Sequence, residues 1–157
     1  MSNKELAGKV AIVTGAGKNI GRAIALSLAA EGATVAVNVR SSSADAESVV
    51  REIEAAGGKA GVFLADVADG PALQGMIDAV AKAYGRLDIL VLNAAFRNEA
   101  PFKDLSYEDW RRAMSTTLDG AFFGIKAALP HLIKAGGGSI VTLGGAKALS
   151  EIGRAHV

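Results

Sequence analysis

The chain has 157 residues, of which 50% are hydrophobic and 21% are charged, a balance typical of one folded domain with its own core. A formal net charge of +1 gives no overall field to attract nucleic acid, and the absence of cysteine excludes disulfides and thiolate metal sites. No apolar run reaches the roughly 18 residues of a membrane helix, and residues 1–9 lack the apolar stretch of a secretory signal. We therefore expect one cytoplasmic domain over residues 1–157, with neither a membrane nor a nucleic-acid partner.

Short runs rich in β-branched residues predict five buried strands. They cover residues 10–14, 34–39, 60–65, 89–92 and 139–143. Because these runs are almost entirely apolar instead of alternating, they are typical of a parallel sheet that is covered by helices on both faces.

Helical patterns fill the spaces between the strands. Their apolar stripes span residues 20–28, 49–53, 73–84 and, in the longest pattern, about 106–134. Ser106 and Asp109 resemble a capping box at the start of the longest pattern, and Pro130 should bend that helix near its end. The regular alternation of strand and helix predicts a doubly wound sheet with right-handed crossovers.

A glycine-rich segment joins the first strand directly to the first helix; residues 14–21 read TGAGKNIG. Glycines in such a turn let the backbone contact a pyrophosphate, and the helix N-terminus offers free N–H groups and a positive dipole end. The glycine spacing alone is a weak signal, and an ordinary glycine-rich turn is the alternative. Its place inside a β-α-β unit nevertheless favours a dinucleotide site.

The same turn resembles the TGxxxGxG turn of the short-chain dehydrogenase/reductase family. Gly15 and Gly21 match its first and last glycines, and Asn19, which tolerates a left-handed backbone, stands at the middle one. Further similar segments are residues 64–67 (the family's adenine-contacting Asp), 87–95 (its strand ending in NNAG), 110–120 (its long fourth helix) and 138–141 (its fifth strand). The resemblance covers essentially the whole chain. It implies a three-layer αβα Rossmann-like sheet of strand order 3-2-1-4-5.

The resemblance also implies a nicotinamide dinucleotide cofactor and the residues that would bind it. These are Gly15, Gly17, Lys18, Asn19, Ile20, Gly21, Arg40, Ser41, Asp66, Val67, Asn93, Ala94 and Ala95.

The end of the second strand indicates which nucleotide is preferred. By the family's pattern Val39 occupies the position where NAD-specific sites place an acid, and Arg40 follows it. Arg40 can bind a 2′-phosphate in bidentate fashion, and Lys18 could add a second positive charge. The alternative is that both are solvated surface cations. We expect NADP(H), with NAD as the second choice.

The family's catalytic positions are replaced or missing here. A family member uses a Tyr as general acid/base, a Lys that lowers the pKa of that Tyr, a Ser that steadies the substrate oxygen and an Asn that supports a proton relay. Thr117 stands at the Asn position and Gly145 at the Ser position, while the Tyr is expected at or just past Val157. The resemblance therefore assigns no catalytic residue to this chain.

Other side chains offer no clear replacement. Tyr84 falls on an apolar stripe and is expected in the core, whereas Tyr107 and His131 are expected at the surface. His156 lies beside the missing Tyr position but at a chain end. Two remote histidines and no cysteine predict no metal site.

The sequence stops soon after the fifth strand, so we expect a chain truncated relative to the family. The fifth strand would then be an apolar edge open to pairing with another chain. In the family the long helix commonly packs against its copy; Phe122, Ile125, Ala128, Leu129 and Leu132 could form such a face, or could pack only on their own sheet. We expect a homo-oligomer.

These features leave three hypotheses open. The first is an NADP(H)-dependent short-chain dehydrogenase/reductase that reduces carbonyls or oxidises alcohols but is inactive as the chain stands, with a small-molecule substrate only if more chain exists. The second is a non-catalytic NADP(H)-binding module or partner subunit. The third is a non-functional fragment.

Overall fold

The structure, a computed structural model, describes residues 4–97 and 100–144, in which strands and helices alternate. The elements are β1 (Val10–Val13), α1 (Asn19–Ala30), β2 (Thr34–Val39), α2 (Ser43–Ala55), β3 (Lys59–Leu64), α3 (Gly70–Tyr84), β4 (Ile89–Leu92), α4 (Tyr107–Met114), α5 (Gly120–Lys134) and β5 (Ser139–Thr142). A 3-10 turn covers Phe102–Asp104, and a π-helical turn, Ser115–Asp119, joins α4 to α5. No helix in the described ranges is both long and apolar enough to cross a membrane.

The strands form one parallel sheet in the order β3-β2-β1-β4-β5. β1 lies at its centre, where Ile12 pairs with Ala36 of β2 on one side and with Leu90 of β4 on the other. The predicted doubly wound sheet with this strand order is confirmed, and the predicted strand ends differ from the observed ones by one residue at most. β5 lies at one edge, as the sequence predicts.

Side chains of β1 alternate between two apolar cores, one on each face of the sheet. Ile12 packs with α3 and α5, whereas Ala11 and Val13 pack with α1 and α2. All three side chains are fully buried. This arrangement explains why the central strand carries apolar residues at every position.

The long helix predicted over residues 106–134 is interrupted. Residues 115–119 form a π-helical turn, which widens the helix before α5 begins at Gly120. A side chain on Gly120 would lie 3.1 Å from Cγ2 and from the carbonyl oxygen of Val67, so the backbone is pressed against the loop after β3 here. Pro130 lies inside α5 without ending it.

The five residues of the predicted dimer face on this helix fall into a buried group and an exposed group. Ala128 and Leu132 are buried against their own sheet, and the half-buried Ile125 packs on the same core. Phe122 and Leu129 remain 60% and 46% exposed. Of the two alternatives, packing on their own sheet therefore holds for three of the five residues, whereas Phe122 and Leu129 remain exposed.

A buried carboxylate ties the amino-terminal ends of β1 and β4 together. Asp88 is 3% exposed and accepts hydrogen bonds from the Val10 amide (3.0 Å), Lys9 Nζ (3.1 Å) and the guanidinium of Arg86 (2.7 and 2.6 Å). Burial alone would raise the pKa of Asp88. The hydrogen bonds and charges of its partners outweigh burial and lower that pKa to about 2.

Candidate functional site

A cleft of about 560 Å³ opens at the carboxyl ends of the strands, a size typical of a small-molecule site. Its walls come from the turn after β1, the ends of β2 and β3, the loop after β4 and one side of α4. Most of the residues predicted to bind a cofactor line it: Gly15, Lys18, Asn19, Ile20, Gly21, Arg40, Asp66, Val67, Asn93, Ala94 and Ala95.

Two of the predicted residues lie outside this lining. A side chain on Gly17 would lie 2.9 Å from Cγ1 of Val39 and 3.1 Å from Cβ of Asp45, so Gly17 faces α2 instead of the cleft. Ser41 begins the turn into α2, where its carbonyl accepts the Ser43 amide at 3.0 Å. The absence of a side chain at Gly17 therefore lets the first turn of α2 lie close to the glycine-rich turn.

The glycine-rich turn has the backbone geometry that the sequence predicts. Gly15 and Asn19 adopt left-handed φ angles of 62° and 48°. Asn is one of the few residues with a side chain that tolerate this region, which explains how it replaces a glycine. At Gly21 a Cβ would lie 2.4 Å from the Gly15 oxygen and 2.5 Å from Nδ2 of Asn93, so no side chain fits.

The N-terminus of α1 presents backbone amides to the cleft. In the turn before the helix, the amide of Ala16 donates to the Asn38 carbonyl at 2.9 Å. In the first turn of the helix, the amide of Arg22 donates to the Lys18 carbonyl at 3.2 Å. Across residues 4–97 and 100–144, no acceptor is paired with the amides of Asn19, Ile20 and Gly21. These N–H groups and the helix dipole make the turn suitable for a diphosphate.

Thr14 and Asn93 lock this turn to β4. The Thr14 hydroxyl accepts the amides of Asn93 and Ala94, each at 3.0 Å. In return, Nδ2 of Asn93 donates to the carbonyls of Thr14 (2.9 Å) and Gly15 (3.1 Å). Asn93 lines the cleft, but its side-chain amide is engaged in holding the turn.

The two cationic side chains near the end of β2, Arg40 and Lys18, differ in whether they form an ion pair. Val39 is buried, and the exposed Arg40 forms no ion pair within the described part of the chain. Lys18 Nζ lies 3.0 Å from Oδ2 of Asp45 in the first turn of α2. Hydrogen bonds from the Ser42 side chain and from Lys18 lower the pKa of Asp45. Two cations thus line this end of the cleft, and one of them already has a partner.

The cleft also contains residues that the sequence reasoning missed: Asn38, Ala65, Phe96, Arg97, Arg112 and Thr116. Buried Asn38 donates through Nδ2 to the carbonyls of Phe63 (3.1 Å) and Ala65 (3.2 Å), and a polar residue inside an apolar strand is a signal that could have revealed it. The guanidinium carbon of Arg112 lies 4.3 Å from the ring centre of Phe96. The sequence carries no signal for Arg112, because its contact with Phe96 depends on how α4 packs.

The family's catalytic positions are only partly described. Thr117 lies in the π-helical turn and lines a small cavity of about 40 Å³ with Thr14, Leu92 and Thr142. Gly145, His156 and Val157 lie outside the described residues. Metal-binding groups of three or more His, Cys, Asp or Glu are absent from the part that the structure describes.

The tyrosines and the described histidine lie away from the cleft lining. Tyr84 packs edge-on against Phe63, and burial raises the pKa of its hydroxyl. Tyr107 is 76% exposed, as expected for a surface residue. His131 is more than a plain surface histidine, because its Nε2 lies 2.6 Å from Oδ1 of Asp78 and links α5 to α3.

The chain belongs to the short chain dehydrogenase family, whose sequence model matches residues 9–155. It is 43% identical over 139 residues to an uncharacterized oxidoreductase of Methylorubrum extorquens, a match that covers 88% of this chain and 55% of the relative. It is 40% identical over 132 residues to glucose 1-dehydrogenase 2 of Bacillus subtilis, covering 83% of this chain and 51% of the relative. The chain thus spans about half the length of these curated relatives.

A solved relative carries the cofactor that the sequence predicts. The crystal structure of a short chain dehydrogenase from Burkholderia cenocepacia in complex with NADP superimposes with a TM-score of 0.86 at 39% identity. The match covers 92% of this chain and 58% of that one. The predicted family is confirmed, and the predicted cofactor class agrees with this complex.

Proposed function

We propose that this chain forms the nucleotide-binding part of a short-chain dehydrogenase and that it prefers NADP(H) to NAD(H). One observation carries the proposal: the amides of Asn19, Ile20 and Gly21 have no acceptor among the described residues and lie at a turn where Gly21 excludes any side chain. A diphosphate would satisfy these amides, because it supplies negatively charged oxygens at a helix N-terminus.

The preference for NADP(H) is supported by the charges at the end of β2. Val39 replaces the acid that would bind the ribose 2′-hydroxyl of NAD and repel a 2′-phosphate. Arg40 is exposed at the cleft, and no ion pair within the described residues occupies it. A guanidinium that is free in this way can bind a phosphate with two parallel hydrogen bonds.

The reaction proposed for the whole protein is hydride transfer between nicotinamide and a carbonyl or alcohol carbon, for which the bound cofactor would supply the hydride chemistry. The described part contributes binding and orientation. Its amides hold the diphosphate, Thr14 and Asn93 keep the turn rigid, and Arg40 recognises the 2′-phosphate. No tyrosine lines the cleft in the described ranges, so proton transfer is assigned to none of these residues.

The preference is tested by titrating NADPH and NADH against the unaltered chain and Arg40→Asp, with nucleotide fluorescence as the readout. The substitution replaces an attractive charge by a repulsive one, so we expect NADPH affinity to fall about tenfold or more while NADH affinity is kept. Lys59→Asp makes a similar charge change at the start of β3, away from the cleft, and should leave both affinities unchanged. An unaltered NADPH preference in Arg40→Asp would contradict the assignment.

The second candidate function is a non-catalytic NADP(H)-binding module. It is favoured by Thr117, which cannot offer the amide of the family's Asn. The two candidates are separated by assaying the protein with NADPH and a panel of small carbonyl compounds. Turnover would support the dehydrogenase and contradict the module. Nucleotide binding without turnover is expected of the module and also of a dehydrogenase that is inactive as the chain stands.

A second copy of this chain is the partner that we propose. Four exposed apolar side chains lie along the π-helical turn and α5 at successive spacings of four, seven and four residues. They are Leu118, Phe122, Leu129 and Ile133. We call this row the α5 stripe. Exposed apolar side chains that are grouped in this way are typical of an interface between proteins.

A further inference from the structure

We infer that Asp45 is a specificity-determining residue that withholds Lys18 from the 2′-phosphate and so weakens the preference for NADP(H). This inference rests on the proposed function, because it concerns the adenosine end of the same cleft. Asp45 belongs to α2 and is not among the residues that line the cleft, yet its carboxylate reaches a cation that does.

The ion pair between Lys18 and Asp45 connects the glycine-rich turn to the next helix. Lys18 is the residue just before α1, and its ammonium lies 3.0 Å from Oδ2 of Asp45. The side chain of Lys18 is 69% exposed, whereas that of Asp45 is only 29% exposed. The carboxylate is therefore the more buried partner of the pair.

The position of Asp45 is built into the fold. A Cβ on Gly17 would lie 3.1 Å from Cβ of Asp45, so the missing side chain of Gly17 is what lets α2 approach this closely. Asp45 also lies in the first turn of α2, where the helix dipole favours a negative charge. The side chain of Ser42 contributes a further hydrogen bond, and together with Lys18 it lowers the pKa of Asp45.

Arg40 and Lys18 therefore differ in how readily each can bind a phosphate. Arg40 has no ion-pair partner among the residues described, so a phosphate can bind it at once. Lys18 already donates to a carboxylate that competes with the phosphate for the same ammonium. The neutral ribose hydroxyl of NAD(H) does not compete for this ammonium, so the competition affects only the phosphorylated nucleotide. Asp45 therefore acts selectively against the phosphorylated nucleotide.

The test is a comparison of Asp45→Asn with the unaltered chain in fluorescence titrations of NADPH and NADH. Asn keeps the size of the side chain but loses its charge. We expect NADPH affinity to rise about fivefold, the order expected for an exposed ion pair, and NADH affinity to stay within about twofold. The control is Glu52→Gln, which removes the ion pair of Arg22 in α1 with Glu52 in α2 and should change neither affinity.

A double-substitution cycle with Lys18→Gln isolates the part played by the lysine. If Asp45 acts through Lys18, the gain in NADPH affinity from Asp45→Asn disappears in the Lys18→Gln background. Lys18→Gln alone should weaken NADPH binding less than it does in the Asp45→Asn background. Thermal unfolding of each variant, followed by circular dichroism, shows that the affinities belong to folded protein.

The outcomes separate this inference from the function on which it rests. Equal NADPH affinity in Asp45→Asn and the unaltered chain, an equal gain for NADH, or a gain that survives Lys18→Gln would overturn the inference and leave the proposed function standing. If the unaltered chain binds neither nucleotide, both are overturned.

Discussion

Gly21 shows how little space separates the turn after β1 from β4. A Cβ at this position would lie 2.4 Å from the carbonyl oxygen of Gly15 and 2.5 Å from the side-chain nitrogen of Asn93. Both atoms belong to the hydrogen-bonded lock between the turn and β4, so neither can withdraw without breaking it. The smallest possible enlargement therefore disturbs the amides that we propose to bind the diphosphate.

We predict that Gly21→Ala abolishes detectable NADPH binding and lowers the free energy of unfolding by about 1–3 kcal/mol, the usual cost of overpacking. Fluorescence titration and urea denaturation measure the two effects. The matched control is Gly75→Ala in α3, where the added methyl would have no heavy atom within 4 Å apart from the neighbouring backbone of its own helix. That variant should bind NADPH normally and gain up to about 1 kcal/mol of stability from its better helix propensity. Normal NADPH affinity in Gly21→Ala would show that the turn is not the diphosphate site.

The backbone geometry of the glycine-rich turn could be predicted from the sequence. Gly15, Asn19 and Gly21 could be assigned from the sequence because left-handed backbone and close approach are properties of the turn itself. Arg112 and Asp45 could not, because each reaches the cleft or its lining through the packing of a helix that is distant in sequence.

Asp88 joins the starts of β1 and β4. Its folded-state pKa of about 2 lies below the ordinary value of 3.8. A depressed carboxyl pKa stabilises the folded state at pH values above the unfolded pKa, and this contribution is lost as the pH falls toward the folded pKa. The pairing of β1 with β4 should therefore weaken between about pH 4 and pH 2.

We predict that Asp88→Asn lowers the free energy of unfolding at pH 7 by about 2 kcal/mol, because Lys9 and Arg86 lose their shared anion. Urea denaturation at several pH values measures this. The difference between Asp88→Asn and the unaltered chain should shrink as the pH falls below about 4, since protonation then removes the same charge from the unaltered chain. A difference that is independent of pH would refute this electrostatic origin. Asp104→Asn, at an exposed carboxylate, is the control.

The strands were easier to predict than the long helix. Continuous apolar runs could be assigned to strands because a parallel sheet buried on both faces leaves almost no position for a polar side chain. The π-helical turn at Ser115–Asp119 escaped prediction because the apolar pattern continues through it. The interruption lies where Gly120 meets Val67, a contact between segments that only the folded chain brings together.

The α5 stripe is the surface of the molecule that we propose to contact a second copy. Its four side chains are between 46% and 68% exposed, and Lys126 lies beside them with its ammonium 5.9 Å from the ring centre of Phe122. A second copy that presents the same row would bury apolar surface from both chains, which is the geometry of a two-fold interface.

We predict that the unaltered chain is at least dimeric in sedimentation analysis and that the double variant Phe122→Glu/Ile133→Glu is monomeric, because four charges would face each other across the two-fold axis. Phe102→Glu, at a side chain that is 87% exposed but off the stripe, should leave the mass unchanged. Two results would contradict the proposed dimer: a monomeric unaltered chain, or a double variant that keeps its mass.

The four-residue central strand sets the distance between the charged cluster and the nucleotide cleft. β1 separates the Asp88 cluster from the Thr14 lock by about 13 Å of extended backbone. Substitutions this far apart, with no shared partners, usually have additive effects. Substitutions at Arg40, Lys18 and Asp45, the residues that we propose to set nucleotide preference, should therefore leave the Asp88 cluster intact. A loss of stability that they cause can be offset at the amino-terminal ends of the strands without changing the cleft.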